Sequence, residues 1–233
     1  MGTPPSARVG NAAGRRLVFF THPNVVISAD VPVPRWPLSE RGRERMRSGL
    51  QQPWIADVGA IYCSDEQKAI DSAAILAAHR GLPVTEVAAL GENDRSATGF
   101  LPPPEFERMA DAFFGQPELS VRGWERAVDA QRRIVGAVRG IAQSDTTSAM
   151  IAIVSHGAVG TLLYCHLAGE PIDRRRDQPA NGGGNFFLFT MEPPHASGWW
   201  QAIDRVSVQS TDARAFEQPN SRTAQQPNSP TAG

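Results

Sequence analysis

The 233-residue chain carries almost no net charge, −1 at neutral pH. That balance leaves no long-range field to steer it onto nucleic acid or an anionic membrane. Cysteine is scarce: Cys63 and Cys165 are the only two, each inside an apolar run. Two such residues read as buried thiols in a reducing compartment, not as a disulfide framework. No stretch approaches the ~18–20 consecutive apolar residues that a membrane span requires. Residues 1–16 also lack the apolar core of a signal peptide. The start does fit the short M-G-x-x-x-S lipidation pattern, but prolines at positions 4 and 5 make that a chance match. A soluble, cytoplasmic protein is the expectation. His79, His166 and His195 share no ligand spacing, and no carboxylate-rich metal motif accompanies the other histidines. No metal and no cofactor are therefore expected.

What is present alternates. Residues 16–20, 59–64, 83–87, 149–155, 185–190 and 199–206 are short, rich in β-branched or aromatic residues, and bounded by Gly, Pro or polar clusters. They read as strands. Helical patterns fall at 41–51, with Ser39 as N-cap, and at 65–79, 106–114, 121–142 and 159–168. Strand and helix in alternation predict an α/β fold of three layers, a mainly parallel central sheet with helices on both faces. With no linker from 16 to 206, one domain spans those residues. Residues 1–15 and the Gln-, Ser-, Pro- and Asn-rich tail 207–233 read as disordered arms with little to bury.

In a parallel sheet the ligand lies at the carboxyl ends of the strands. Two of those ends deliver a histidine one residue past the apolar run, His22 after LVFF and His156 after IAIV. Either alone is an ordinary hydrogen-bonded histidine; a pair at equivalent strand ends faces one crevice. Gly157 and a helix start follow His156, so free backbone N–H groups are expected to point at the same place, an arrangement suited to an anion. The Gly-rich run 182–184 precedes a strand instead of opening a helix, so it reads as a flexible turn. Arg174–Arg176 reads as a solvated loop, and Trp124 as packing beneath an amphipathic helix.

Five segments in order carry a resemblance. The strand-T-H-P of 17–23, PLSERGRERM at 37–46, IYCSDEQKAIDSAAILAAHRGLPV at 61–84, ALGENDRSATG at 89–99 and IVSHGAVGTLL at 153–163 resemble the successive motifs of the histidine phosphatase, or phosphoglycerate mutase-like, superfamily. The resemblance implies a metal-independent phosphatase. Its nucleophile is His22, forming a phosphohistidine; His156 stabilises the transferring group, and Glu92 protonates the leaving oxygen. It also implies a small phosphorylated molecule or a phosphoprotein as substrate, and it allows a homodimer. The alternative is a degenerate member that holds a phosphorylated or carboxylated ligand without turnover.

The departures from the family pattern bear on that choice. Thr21 stands where the family has an arginine before the first histidine, Pro23 replaces the following glycine, and Lys68 replaces the second motif's arginine. Lysine keeps charge without a bidentate fork, and threonine keeps only a hydroxyl. A working pocket then needs substitute cations beside Thr21 and Lys68. Arg35, in the loop after the first strand, and Arg95, three residues past Glu92, are the candidates. A two-histidine metal hydrolase is the weakest reading.

Overall fold

The computed structural model describes residues 14–205. The expected arms at 1–15 and 207–233 fall, apart from residues 14 and 15, outside the described residues.

Six strands form one sheet: β1 (Arg16–Thr21), β2 (Val58–Cys63), β3 (Val84–Glu86), β4 (Met150–Ser155), β5 (Asn185–Met191) and β6 (Pro194–Ala202), in the order β3-β2-β4-β1-β5-β6. The first four lie parallel. β5 runs antiparallel to β1, and β6 antiparallel to β5. The sheet is therefore mainly parallel, as the alternation predicts, with an antiparallel edge. β6 starts at Pro194 and ends at Ala202, earlier at both ends than the expected 199–206, because it is the return arm of a hairpin with β5.

The helices are α1 (Glu40–Gly49), α2 (Gln67–Arg80), α3 (Pro103–Gly115), α4 (Ala127–Ser144) and α5 (Gly157–Ala168). The strand period sorts the core into two layers. Leu17, Phe19, Ile151, Ile153, Phe187 and Phe189 face one way, onto α3, α4 and α5. Val18, Phe20, Ala152, Val154 and Phe186 face the other, onto α1 and α2. Alternation within wholly buried strands is what a three-layer sandwich demands. Cys63 and Cys165 are both buried and free.

One helix expectation needs correction. Residues 121–142 do not form a continuous helix: Arg122 sits at φ 48°, closing a 3-10 turn at Val121–Gly123, and α4 begins only at Ala127. Trp124, in the gap, is buried against Phe106 and Phe113. Arg174–Arg176 form a short 3-10 turn in which Arg174 pairs with Glu107 and Asp111 of α3, and Arg176 with Glu170. They tie the surface together instead of reaching the histidines. Among the described residues no helix is long and apolar enough to cross a membrane.

Candidate active site

Register brings the chemistry together. Thr21 pairs with Ser155, and Cys63 with Val154, so the residues that follow leave the sheet side by side. The His22 N–H donates to the Ser155 carbonyl at 3.1 Å, and the Ser64 N–H to the Val154 carbonyl at 3.0 Å. The His22 and His156 rings meet edge to face with centroids 5.2 Å apart. His156 is fully buried at the start of α5, while His22 is partly exposed.

The His22 side chain is fixed by its own loop. Nδ1 lies 3.0 Å from the Pro23 carbonyl. Only a protonated Nδ1 makes that bond, so the Nε2 lone pair is left open. Burial and the neighbouring Lys68 push the His22 pKa down to about 4, despite the Pro23 carbonyl. The imidazole is neutral at pH 7. Burial likewise holds His156 well below the ordinary histidine range. Its Nε2 lies 2.8 Å from Ser64 Oγ, and its Nδ1 has no partner among the described residues.

Pro23 is accommodated by the glycine run at 182–184. All three glycines have positive φ, and a Cβ on Gly183 would stand 2.3 Å from the His22 carbonyl oxygen. The Gly184 N–H donates to that same oxygen at 3.0 Å. The run is therefore a fixed cradle for the His22 backbone, not the flexible turn its composition suggests.

Glu92 lies on the wall of the adjoining cavity, and it is committed to α5. The backbone N–H of Ala158 donates to Oε2 at 3.2 Å, and that of Val159 to Oε1 at 3.1 Å. The helix N-terminus, expected to offer free donors to a ligand, thus already holds a carboxylate, where the helix dipole favours one. Arg133 of α4 braces the loop behind Glu92, donating to the carbonyls of Ala89, Gly91 and Glu92 at 2.9–3.1 Å. The sequence shows Arg133 only as one more charge on an amphipathic helix.

The substitute cations divide. Arg95 lines the cavity, with its guanidinium 3.9 Å from Glu92 Oε2 and stacked over Phe106 and Trp124. Arg35 is exposed and lies outside the cavity lining, although its 3-10 turn gives the Val33 carbonyl to Lys68. Arg35 is thus not on the cavity wall, because that turn contributes its backbone there while its arginine is exposed. Thr21 is not free either. Its hydroxyl donates to Gln178 Oε1 at 2.7 Å and accepts the Asn185 N–H at 3.1 Å, fully buried. Thr21 holds the strand end in place instead of contacting a ligand.

Lys68, the only lysine in the chain, is buried and paired with Glu66. Sequence reasoning passed over Glu66. Its Oε1 accepts the Glu92 N–H at 2.9 Å and lies 3.4 Å from His156 Nε2. Burial opposes its charge, yet His156, Lys68 and the Glu92 amide together lower its pKa to about 2. With His156 neutral, Lys68 and the amide carry that stabilisation at neutral pH. The available signal was an acid two residues from the lone lysine at a ligand-bearing strand end.

Beside the histidines opens a cavity of about 700 Å³, walled by residues 29–34, by Asp65 and Glu66, and by residues 91–96 with Phe100. Neither histidine lines it; its wall meets them through Glu66, whose Oε1 lies 3.4 Å from His156 Nε2. No group of three His, Cys, Asp or Glu side chains among the described residues is placed to share a metal ion.

Two imidazoles with lowered pKa values and a buried lysine thus come together at the carboxyl edge of a mainly parallel sheet. The family model described as histidine phosphatase superfamily (branch 1) matches residues 30–199, and the chain belongs to that superfamily. His22 precedes the matched segment. The mycobacterial glucosyl-3-phosphoglycerate phosphatase solved with inorganic phosphate is 21% identical, covers 82% of this chain and 99% of its own, and superposes with a TM-score of 0.65. YhfR of Bacillus stearothermophilus is 23% identical, covering 83% and 98%, with a TM-score of 0.65. The alpha-ribazole phosphatase of Shigella flexneri is 19% identical, covering 84% and 100%, with a TM-score of 0.59. At these identities the likeness is one of fold. No curated protein sequence matches the chain.

Proposed function

We propose that the protein is a phosphomonoester hydrolase working through a phosphohistidine on His22. The observation that carries this reading is the His22 Nδ1–Pro23 carbonyl bond beside a second neutral imidazole at 5.2 Å. That bond leaves Nε2 as an unprotonated nucleophile directed out of its own loop.

In the first step the Nε2 lone pair attacks phosphorus, the P–O bond to the alcohol breaks, and that oxygen takes a proton. Glu92, in its protonated form, is the proposed donor, since Glu66, with a pKa of about 2, is ionised and cannot serve. In this geometry Glu92 must leave its α5 amides to reach the leaving oxygen. Lys68 and Arg95 supply the positive charge nearest the pocket, and the partnerless Nδ1 side of His156 offers a further donor. In the second step water gives a proton to the Glu92 carboxylate and attacks phosphorus, the P–N bond breaks, and inorganic phosphate leaves with His22 neutral and Glu92 protonated again.

One observation favours ligand binding without turnover. Both nearby cations are already paired with carboxylates, Lys68 with Glu66 and Arg95 with Glu92, so an incoming phosphate meets little free positive charge. Hydrolysis of p-nitrophenyl phosphate in the presence of a chelator decides between the two. The enzyme reading expects turnover that His22→Ala reduces by at least about 10³-fold. Turnover that survives His22→Ala rejects the nucleophile, and none at all in the wild type leaves the binding reading.

A further inference from the structure

We infer that the cavity beside the histidines is a subsite for a cationic leaving group, so that the preferred substrates are phosphate monoesters of amino or quaternary-ammonium alcohols. The inference rests on the reading of phosphate-ester turnover at His22.

Five carboxylates line the cavity, those of Asp30, Asp65, Glu66, Glu92 and Asp94, against one guanidinium, that of Arg95. Glu66 is balanced by Lys68, and Glu92 by Arg95. Asp30, Asp65 and Asp94 are left without a cationic partner among the described residues. Those three side chains are exposed, so each acts through a screened field. Their effect is a collective bias on what enters, not a tight ion pair.

A second observation points to a ligand independently of that charge. Asn93 belongs to the same cavity lining and is 3% exposed; its backbone N–H donates to Glu92 Oε1 at 3.2 Å, but its side-chain Nδ2 is buried without a partner among the described residues. A buried amide left unpaired is costly, and such groups are ordinarily satisfied. A ligand hydroxyl or ester oxygen reaching this wall would supply the partner. Phe100 adds an aromatic ring, held edge to face by Trp36 at 5.6 Å. Ammonium groups bind over aromatic rings through the ring quadrupole. The volume of about 700 Å³ also lies within the ~300–1,000 Å³ of small-molecule sites, well beyond a phosphoryl group alone. Acids, an unsatisfied amide and an aromatic ring suit a cation bearing polar groups. They disfavour sugar-acid phosphates, whose carboxylate would face three unpaired aspartates.

The test compares phosphocholine with 3,3-dimethylbutyl phosphate, its uncharged carbon isostere, using p-nitrophenyl phosphate as the separate measure of turnover. The expected kcat/KM ratio of phosphocholine to isostere is about tenfold, a difference near 1.4 kcal/mol. It should fall toward one in an Asp30→Asn, Asp65→Asn, Asp94→Asn triple variant and as salt is raised. A wild-type ratio at or below one, or a ratio the triple variant does not alter, overturns the inference while leaving the phosphatase reading intact. If no ester is hydrolysed, the turnover reading has failed and the subsite is judged on binding. Saturation-transfer NMR with choline should then give a signal that the triple variant loses. No signal from the wild type sinks the subsite as well.

Discussion

In the proposed mechanism His22 can attack phosphorus only while its imidazole is neutral. Burial and Lys68 hold its pKa at about 4, far below the ~6.5 of a free histidine. Loss of activity on acidification through His22 protonation is therefore expected near pH 4. A kcat/KM profile for p-nitrophenyl phosphate checks this, and an acidic limb centred near pH 6.5 would show the ring in a more solvated state. Glu66 belongs to the same scale. Its carboxylate occupies Lys68 and stands 3.4 Å from His156 Nε2, so phosphate has a like charge to face. Glu66→Gln keeps an acceptor for the Glu92 amide and removes that charge. Affinity for inorganic phosphate should rise about tenfold, equivalent to ~1.4 kcal/mol, measured by calorimetry on the whole protein. Unchanged affinity would mean that Lys68 does not meet the anion.

Elements position these side chains through contacts that periodicity does not reveal. The LVFF and IAIV runs place both histidines, because a buried strand in a parallel sheet delivers its next residues to the ligand edge. The glycines at 182–184 hold the His22 loop from the side, with φ of 85°, 78° and 67°. Gly183→Ala adds a methyl group 2.3 Å from the His22 carbonyl, in a conformation that side chains rarely adopt. Denaturant unfolding should show a loss of about 2 kcal/mol, with turnover falling further than stability because the clash is at the nucleophile's own backbone. A variant that unfolds earlier but retains full kcat would argue that the cradle serves only stability.

Over the whole molecule the buried titratable groups set the acid limit. His22 is neutral in the fold with a pKa of about 4, against ~6.5 unfolded. Its contribution is fully present above pH 6.5 and is lost as pH falls toward 4, where the unfolded chain binds the extra proton. Glu66 follows at lower pH: its pKa is about 2 in the fold against ~4.3 unfolded, so its stabilisation disappears as pH falls from about 4.3 to 2. Urea midpoints at pH 7, 5 and 3 should decline in sequence. His22→Ala should reduce the first decline, to which the buried His156 also contributes, and Glu66→Gln the second. A midpoint constant from pH 7 to 4 would contradict the His22 assignment.

The sequence by itself determined the three-layer sheet and the histidine pair. Both follow from local rules: period-2 burial in the strands, and a ligand edge that begins where an apolar run ends. His22 and His156 were legible for that reason, and Glu92 through the resemblance of the loop at 89–99 to the family's motif. Only the tertiary structure decided how charges and donors are shared, because that depends on residues far apart in the chain. Gln178 and Asn185 take the Thr21 hydroxyl, the α5 amides take Glu92, and Arg133 braces the loop from another helix. Arg35 and Arg95 look equally eligible in sequence, but the 3-10 turn at Val33–Arg35 faces its arginine to solvent, while Arg95 is stacked on Phe106 and Trp124 at the cavity wall. Glu66 and Asn93 stayed hidden because a polar residue in a loop carries no sign of burial until the chain has closed around it.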